Sequence, residues 1–102
     1  MSEFKKLYEW ARPGFIKELT ISRERDQGIA LVNVLVASRN STHRFSLSGL
    51  NDFDALPRIL ESERVVISRE LNCQREFGSV QVECYDDDCY SEYWCDSYNE
   101  ST

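Results

Sequence analysis

The residues of this chain that could do chemistry crowd into its last quarter, FGSVQVECYDDDCYSEYWCDSYNEST, residues 77–102. Eight carboxylates follow Arg75 (Glu76, Glu83, Asp86, Asp87, Asp88, Glu92, Asp96 and Glu100), and no Lys or Arg accompanies them. The same stretch holds Tyr85, Tyr90, Tyr93, Tyr98 and Trp94, together with Cys84, Cys89 and Cys95. Tyr and Trp bury large area at low side-chain entropy cost, which makes them frequent anchors of protein interfaces. Carboxylates beside them select a partner rich in Lys or Arg and speed its encounter. Read as a hairpin, the stretch alternates with period two. Glu83 and Tyr85 share one face of the first strand, and Tyr90, Glu92 and Trp94 share one face of the second. With the turn Asp86, Asp87 and Asp88, these eight residues form the candidate partner-binding site. The competing reading puts Tyr90 and Trp94 into the core.

Other chemistries find less support. The cysteines at 73, 84, 89 and 95 contain no C-x-x-C pair, so neither a zinc ribbon nor a thioredoxin-like site is expected. In a chain without a visible export signal they read as reduced thiols. Cys84 and Cys89 bracket a turn, where a bridge would form only in an oxidising compartment. The single histidine, His43, has no second His, Cys or carboxylate near it in the sequence. It reads as a partly buried strand-end side chain. Glycine-rich phosphate loops, a G-x-S-x-G elbow and an H-E-x-x-H pair are all missing. An exposed DDD turn holds ionised acids, whereas general-acid chemistry needs one raised by burial. The turn also lacks calcium-loop spacing. No catalytic residue, cofactor or metal site is therefore expected, and the chain is read as a non-enzyme.

The elements that must position the hairpin follow from periodicity. Phe4, Leu7, Tyr8 and Ala11 recur at helical spacing, which predicts a short N-terminal helix capped by Ser2 and ended by Pro13 and Gly14. Residues 15–23 predict a strand with Phe15, Leu19 and Ile21 on one face. Residues 29–38 (IALVNVLVAS) are apolar on both faces and predict a central strand covered on both sides. Residues 43–50 predict a half-exposed strand with His43, Phe45 and Leu47 inward. Residues 51–62 predict a loop with a short helical turn at Pro57. Residues 63–71 and 76–85 predict strands joined by a turn at 72–75, with Val65, Ile67, Val80, Val82 and Cys84 inward. Residues 89–96 predict the last strand, with the chain end frayed beyond it. The expected fold is α+β and mainly β. It is a single domain over 1–102, a short N-terminal helix followed by an antiparallel meander of about six strands, as a curled sheet or a small sandwich.

Charge narrows the partner. Residues 1–75 hold all 12 basic groups and 10 acids, and residues 76–102 hold the other 8 acids, within a formal net charge of −6. That balance opposes nucleic-acid binding and favours a basic protein partner. No apolar window is long enough to span a membrane, and no secretory h-region is visible, so a cytoplasmic protein is expected. Several features are similar to small bacterial immunity proteins of polymorphic toxin systems. They are Trp10 and Pro13 ahead of the first strand, the strongly apolar next strand, the LNDF segment at 50–53, and an acidic strand pair ending in Trp94-Cys95. Where such domains often carry a His-Asp step after the proline, this chain has Gly14-Phe15-Ile16-Lys17. The resemblance implies a cytoplasmic, non-catalytic protein that neutralises a toxin, often a basic nuclease. Two other readings stay open: an acidic inhibitor that mimics nucleic acid, and a small structural subunit that self-associates.

Overall fold

The computed structural model describes residues 3–23, 25–26, 28–50, 52–71 and 78–101. Within them the chain forms eight strands and one short helix. They are β1 (Glu3–Ala11), β2 (Phe15–Arg23), β3 (Ala30–Ser38), β4 (Ser41–Ser48), α1 (Ala55–Glu61), β5 (Arg64–Leu71), β6 (Val80–Tyr85), β7 (Tyr90–Cys95) and β8 (Ser97–Ser101). Two four-stranded antiparallel sheets share them, in the orders β1-β5-β6-β7 and β2-β3-β4-β8. Their facing sides close over one core. From the first sheet come Trp10, Val65, Ile67, Val80, Val82, Cys84 and Cys95. From the second come Ile16, Val32, Val34, Val36, Phe45, Leu47 and Tyr98. Full burial of a large apolar side chain such as Phe45 or Ile67 is worth about 1.5–3 kcal/mol, and both are 0% exposed.

The expected N-terminal helix is instead an edge strand. In β1, Lys6 lies opposite Ser68 and Tyr8 opposite Ile67, so Leu7 is an extra, bulged residue. A bulge shifts the period-two alternation by one residue. Phe4 and Lys6 therefore face outward, while Tyr8 and Trp10 face the core. Apolar residues on either side of a phase shift fall three and four apart, which imitates helical spacing. The proposed Ser2 cap lies outside the described residues. A second bulge, between Ile16 and Glu18, corrects the expected face of β2: Ile16 and Leu19 point inward and Phe15 is 57% exposed.

The connectivity is not a simple meander. β1 pairs with β5, and β4 pairs with β8, so the chain changes sheets between β1 and β2, through α1, and between β7 and β8. The chain end, expected to fray, supplies β8 as far as Ser101. β3 is central in its sheet, but only its Val32, Val34 and Val36 face is buried. Leu31, Leu35 and Ala37 on the other face are half-exposed. α1 brings Ala55 and Ile59, one turn apart, into the core, with Pro57 in its first turn where a missing N–H costs nothing. The turn expected at 72–75, with Cys73, lies outside the described residues, as do Glu76 and Phe77.

Asp96 is the corner where the chain passes from β7 to β8. Its N–H bonds Ser48 O at 2.8 Å, and its Oδ1 accepts the Gly78 N–H at 2.8 Å. Gly49 packs against the same carboxylate. Gly49 and Gly78 both sit at φ +72°, a left-handed conformation that favours glycine.

Candidate functional site

The β6–β7 hairpin fixes which side chains meet. Asp86 and Cys89 exchange backbone hydrogen bonds (2.9 and 3.4 Å) around the tip Asp87 and Asp88. Antiparallel pairing then alternates, so the pairs Tyr85/Tyr90, Glu83/Glu92 and Gln81/Trp94 are the ones without direct backbone bonds. Such pairs bring their side chains closest, and these three lie on the outer face of the sheet. The Tyr85 and Tyr90 rings stand 5.1 Å apart. Tyr85 donates its hydroxyl to Glu83 Oε2 at 2.9 Å. The Tyr90 hydroxyl lies 2.7 Å from the same oxygen and 2.9 Å from Glu92 Oε2, so one phenolic proton is shared between two carboxylates. Gln81 Nε2 donates to Glu92 Oε2 at 3.0 Å. Burial first, then the hydrogen bonds to Glu83 and Glu92, push the Tyr90 phenol well above its ordinary value. Burial and Glu83 raise Tyr85 in the same way.

The cations of this face are engaged elsewhere. Arg64 holds Glu9 with a fork, Nε at 2.8 Å and a terminal nitrogen at 2.7 Å, and lies over the Tyr85 ring at 5.2 Å. Lys6 Nζ contacts the other Glu9 oxygen at 2.9 Å. The Lys6 and Arg64 bonds hold the Glu9 carboxyl below its ordinary value. Among the described residues, Glu83 and Glu92 are bonded by neutral phenols and an amide, and by no Lys or Arg.

Trp94 completes the face. It and Phe4 project from opposite edge strands, β7 and β1, yet their ring centroids are 6.3 Å apart. Three interstrand steps separate those strands by roughly 14 Å, so the two rings lean toward each other across the outward side chains of β5 and β6. Val66, Ser68, Glu70 and Gln81 are all buried on this face although, among the described residues, no strand or helix is stacked on it. Trp94 and Tyr90 are thus on the surface of the sheet, half-buried and 51% exposed respectively, not in the core.

The structure brings Glu83, Tyr85, Tyr90 and Glu92 into one network, with Trp94 beside Gln81. Asp86 has a different task. Its Oδ1 accepts the Glu63 N–H at 3.3 Å and its Oδ2 lies 3.7 Å from Arg58, tying the end of α1 to the hairpin. Asp87 and Asp88 are exposed at the tip, and the nearby Asp87 carboxylate pushes Glu63 up. Gln81 shares the outward face of Glu83 and Tyr85 by simple alternation along β6. Phe4, Glu9 and Arg64 were not connected to the site, because the β1–β5 pairing that delivers them is nonlocal.

His43 has partners that the local sequence does not show. Its ring stacks on Tyr8 at 3.9 Å, and Nε2 lies 3.1 Å from the Tyr98 hydroxyl, which donates to Glu100 Oε1 at 3.0 Å. Glu100 arrives through β8. The cluster ties β1 to the opposing sheet, and the ring is half-buried, as expected of a strand-end histidine. Cys84, Cys89 and Cys95 are free thiols. Burial pushes Cys84 to about 11 and Cys95 to about 12. Among the described residues, no group of three His, Cys, Asp or Glu side chains is placed to hold a metal, and no helix is long and apolar enough to cross a membrane. An open cleft of about 500 Å³ at the β2–β3 end is lined by Arg23, Arg25, Ile29 and Leu31 among others. Comparison with family models, characterised proteins and solved structures finds no match to this chain.

Proposed function

We propose that this chain is a non-catalytic protein-binding module that docks a cationic partner on the outer face of the β1-β5-β6-β7 sheet. One observation carries the reading. Glu83 and Glu92 face each other across the hairpin with only neutral donors around them, beside the exposed rings of Tyr90 and Phe4. A Lys or Arg from a partner would supply the missing countercharge, and the aromatic rings would supply area and cation–π contact. The mixed charge elsewhere on the face, Lys6 and Arg64 around Glu9, makes it a poor replica of a uniformly anionic nucleic-acid backbone. The resemblance to immunity domains specifies the partner as a cytoplasmic cationic toxin such as a nuclease.

The test uses the protein encoded beside this chain. The two are co-expressed, and binding and protection from toxicity are measured for the wild type, for Glu83→Gln/Glu92→Gln, and for Glu18→Gln on the opposite sheet. Neutralising the facing pair should weaken binding by about tenfold, or ~1.4 kcal/mol, and more at low salt than at high salt. Glu18→Gln should change little. Equal affinity for all three chains would remove the carboxylate face from the reading, and absence of toxicity would remove the toxin.

A further inference from the structure

The two sheets leave four edge strands, β1 and β7 in one and β2 and β8 in the other. An open edge is a template for another strand, and proteins blunt edges with bulges, lysines, prolines or short length. Two of these edges are blunted. β1 has its bulge at Leu7, preceded by Lys5 and Lys6. β2 has its bulge at the exposed Lys17. β8, five residues long, has no facing carboxylate pair such as Glu83 and Glu92. β7 has none of these devices: its register with β6 runs unbroken from Tyr90 to Cys95, without Pro, Lys or Arg.

The hairpin geometry also says which backbone groups face that edge. Because Asp86 and Cys89 exchange both hydrogen bonds, Ser91, Tyr93 and Cys95 direct their N–H and C=O groups to β6. Tyr90, Glu92 and Trp94 direct theirs away from it. The Tyr90 and Glu92 backbone groups make no hydrogen bond among the described residues, and both residues are exposed. Ser91 and Tyr93 point into the sandwich and are still half-exposed, as expected of an uncovered edge.

We propose that β7 receives an extended, Lys- or Arg-rich segment of the partner as a fifth strand of this sheet. The proposal rests on the cationic-partner reading and adds its mode. A residue hydrogen-bonded antiparallel to Glu92 presents its side chain on the same face as Glu92, so a basic residue there reaches the Glu83/Glu92 pair. A second copy of this chain is the wrong occupant. Two β7 strands paired about a two-fold axis bring their Glu92 carboxylates close together with no cation between them, and like charges across strands repel.

Three eight-residue probes test the mode: an alternating Lys-Thr peptide, the same peptide N-methylated at every lysine, and the same peptide N-methylated at every threonine. N-methylation removes the donors on one edge of the peptide while leaving its charge. Methylation of the lysines should weaken binding by at least about fivefold, the cost of the lost hydrogen bonds. Methylation of the threonines should change little. The unmethylated peptide should slow amide exchange at Tyr90 and Glu92. If all three peptides bind alike and Glu83→Gln/Glu92→Gln weakens all of them, edge pairing is overturned while face docking stands. If none binds, edge pairing is again overturned, and the partner experiment above decides the face separately. A dimer of the chain with protected Tyr90 and Glu92 amides overturns the choice of occupant.

Discussion

Replacing Gly49 with alanine should destabilise this fold far more than the same change at Gly78. The backbone conformations match, at φ +72° for both. A left-handed conformation costs an L-residue about 1–2 kcal/mol, and each variant incurs it. The surroundings differ. Among the described residues a Cβ on Gly78 meets nothing within 4 Å, so that cost is the main effect. A Cβ on Gly49 falls well inside contact distance of Asp96 Oδ2 and Cγ, and 2.8 Å from Asp96 Cβ. Rotating the Asp96 side chain cannot clear its own Cβ, so the corner itself must shift. That shift breaks the 2.8 Å bond from the Gly78 N–H to the Asp96 carboxylate. A hydrogen bond to a charged group is worth about 1.5–3 kcal/mol. Gly49→Ala should therefore cost about 2.5–5 kcal/mol and Gly78→Ala about 1–2 kcal/mol. Urea unfolding of both variants against the wild type measures this, provided the slopes match. If the two unfolding free energies agree to within about 1 kcal/mol, the carboxylate corner does not hold the β7–β8 crossover.

Other consequences can be checked with simple measurements. Phe45→Ala removes a ring that meets Tyr8, Trp10, His43 and Tyr98, and should lower unfolding free energy by about 3–5 kcal/mol; a loss under 1 kcal/mol would mean the inter-sheet core is elsewhere. At pH 8 the exposed Cys89 should react with iodoacetamide in the folded protein. Cys84 and Cys95, pushed to about 11 and about 12 by burial, should react only in urea, and mass mapping of the labels distinguishes them. Glu63 titrates above its ordinary value because Asp87 lies beside it. Its carboxylate form therefore costs stability at neutral pH, and the cost is relieved as pH falls through the raised value. Glu63→Gln should raise the melting temperature at pH 7 and not at pH 3. Glu9 behaves in the opposite sense. It is held below its ordinary value by Lys6 and Arg64, so it adds stability above that value and loses it as pH falls. Glu9→Gln should lower the melting temperature at pH 7, and the difference should vanish in acid.

The strands that were legible are those with undisturbed alternation. In β4, β5 and β6 the residues Phe45, Leu47, Val65, Ile67, Val80, Val82 and Cys84 reach the core as their spacing requires, and His43 is half-buried at its edge. The N-terminal strand was illegible because the Leu7 bulge breaks the alternation and leaves a helical pattern in its place. β8 was illegible for another reason. Ser97, Asn99 and Ser101 are poor strand formers, and the segment is held by pairing with β4, a partner far away in the chain.

For the candidate site, the order of residues places acids and aromatics together on the β6–β7 hairpin, because neighbouring strands joined by a two-residue tip must pair in register. It thereby determined that Glu83, Tyr85, Tyr90, Glu92 and Trp94 lie on one side. The tertiary structure decided what that side is. Nonlocal pairing of β1 with β5 places Arg64 against Glu9, and the sheet order brings Phe4 against Trp94, while the Leu7 bulge turns Lys6 to the face of Glu9 and Arg58 draws Asp86 away to α1. Which carboxylates keep a countercharge and which do not is a property of distances between strands remote in sequence. Local alternation carries no information about those distances, and they leave Glu83 and Glu92 facing outward with neutral donors alone.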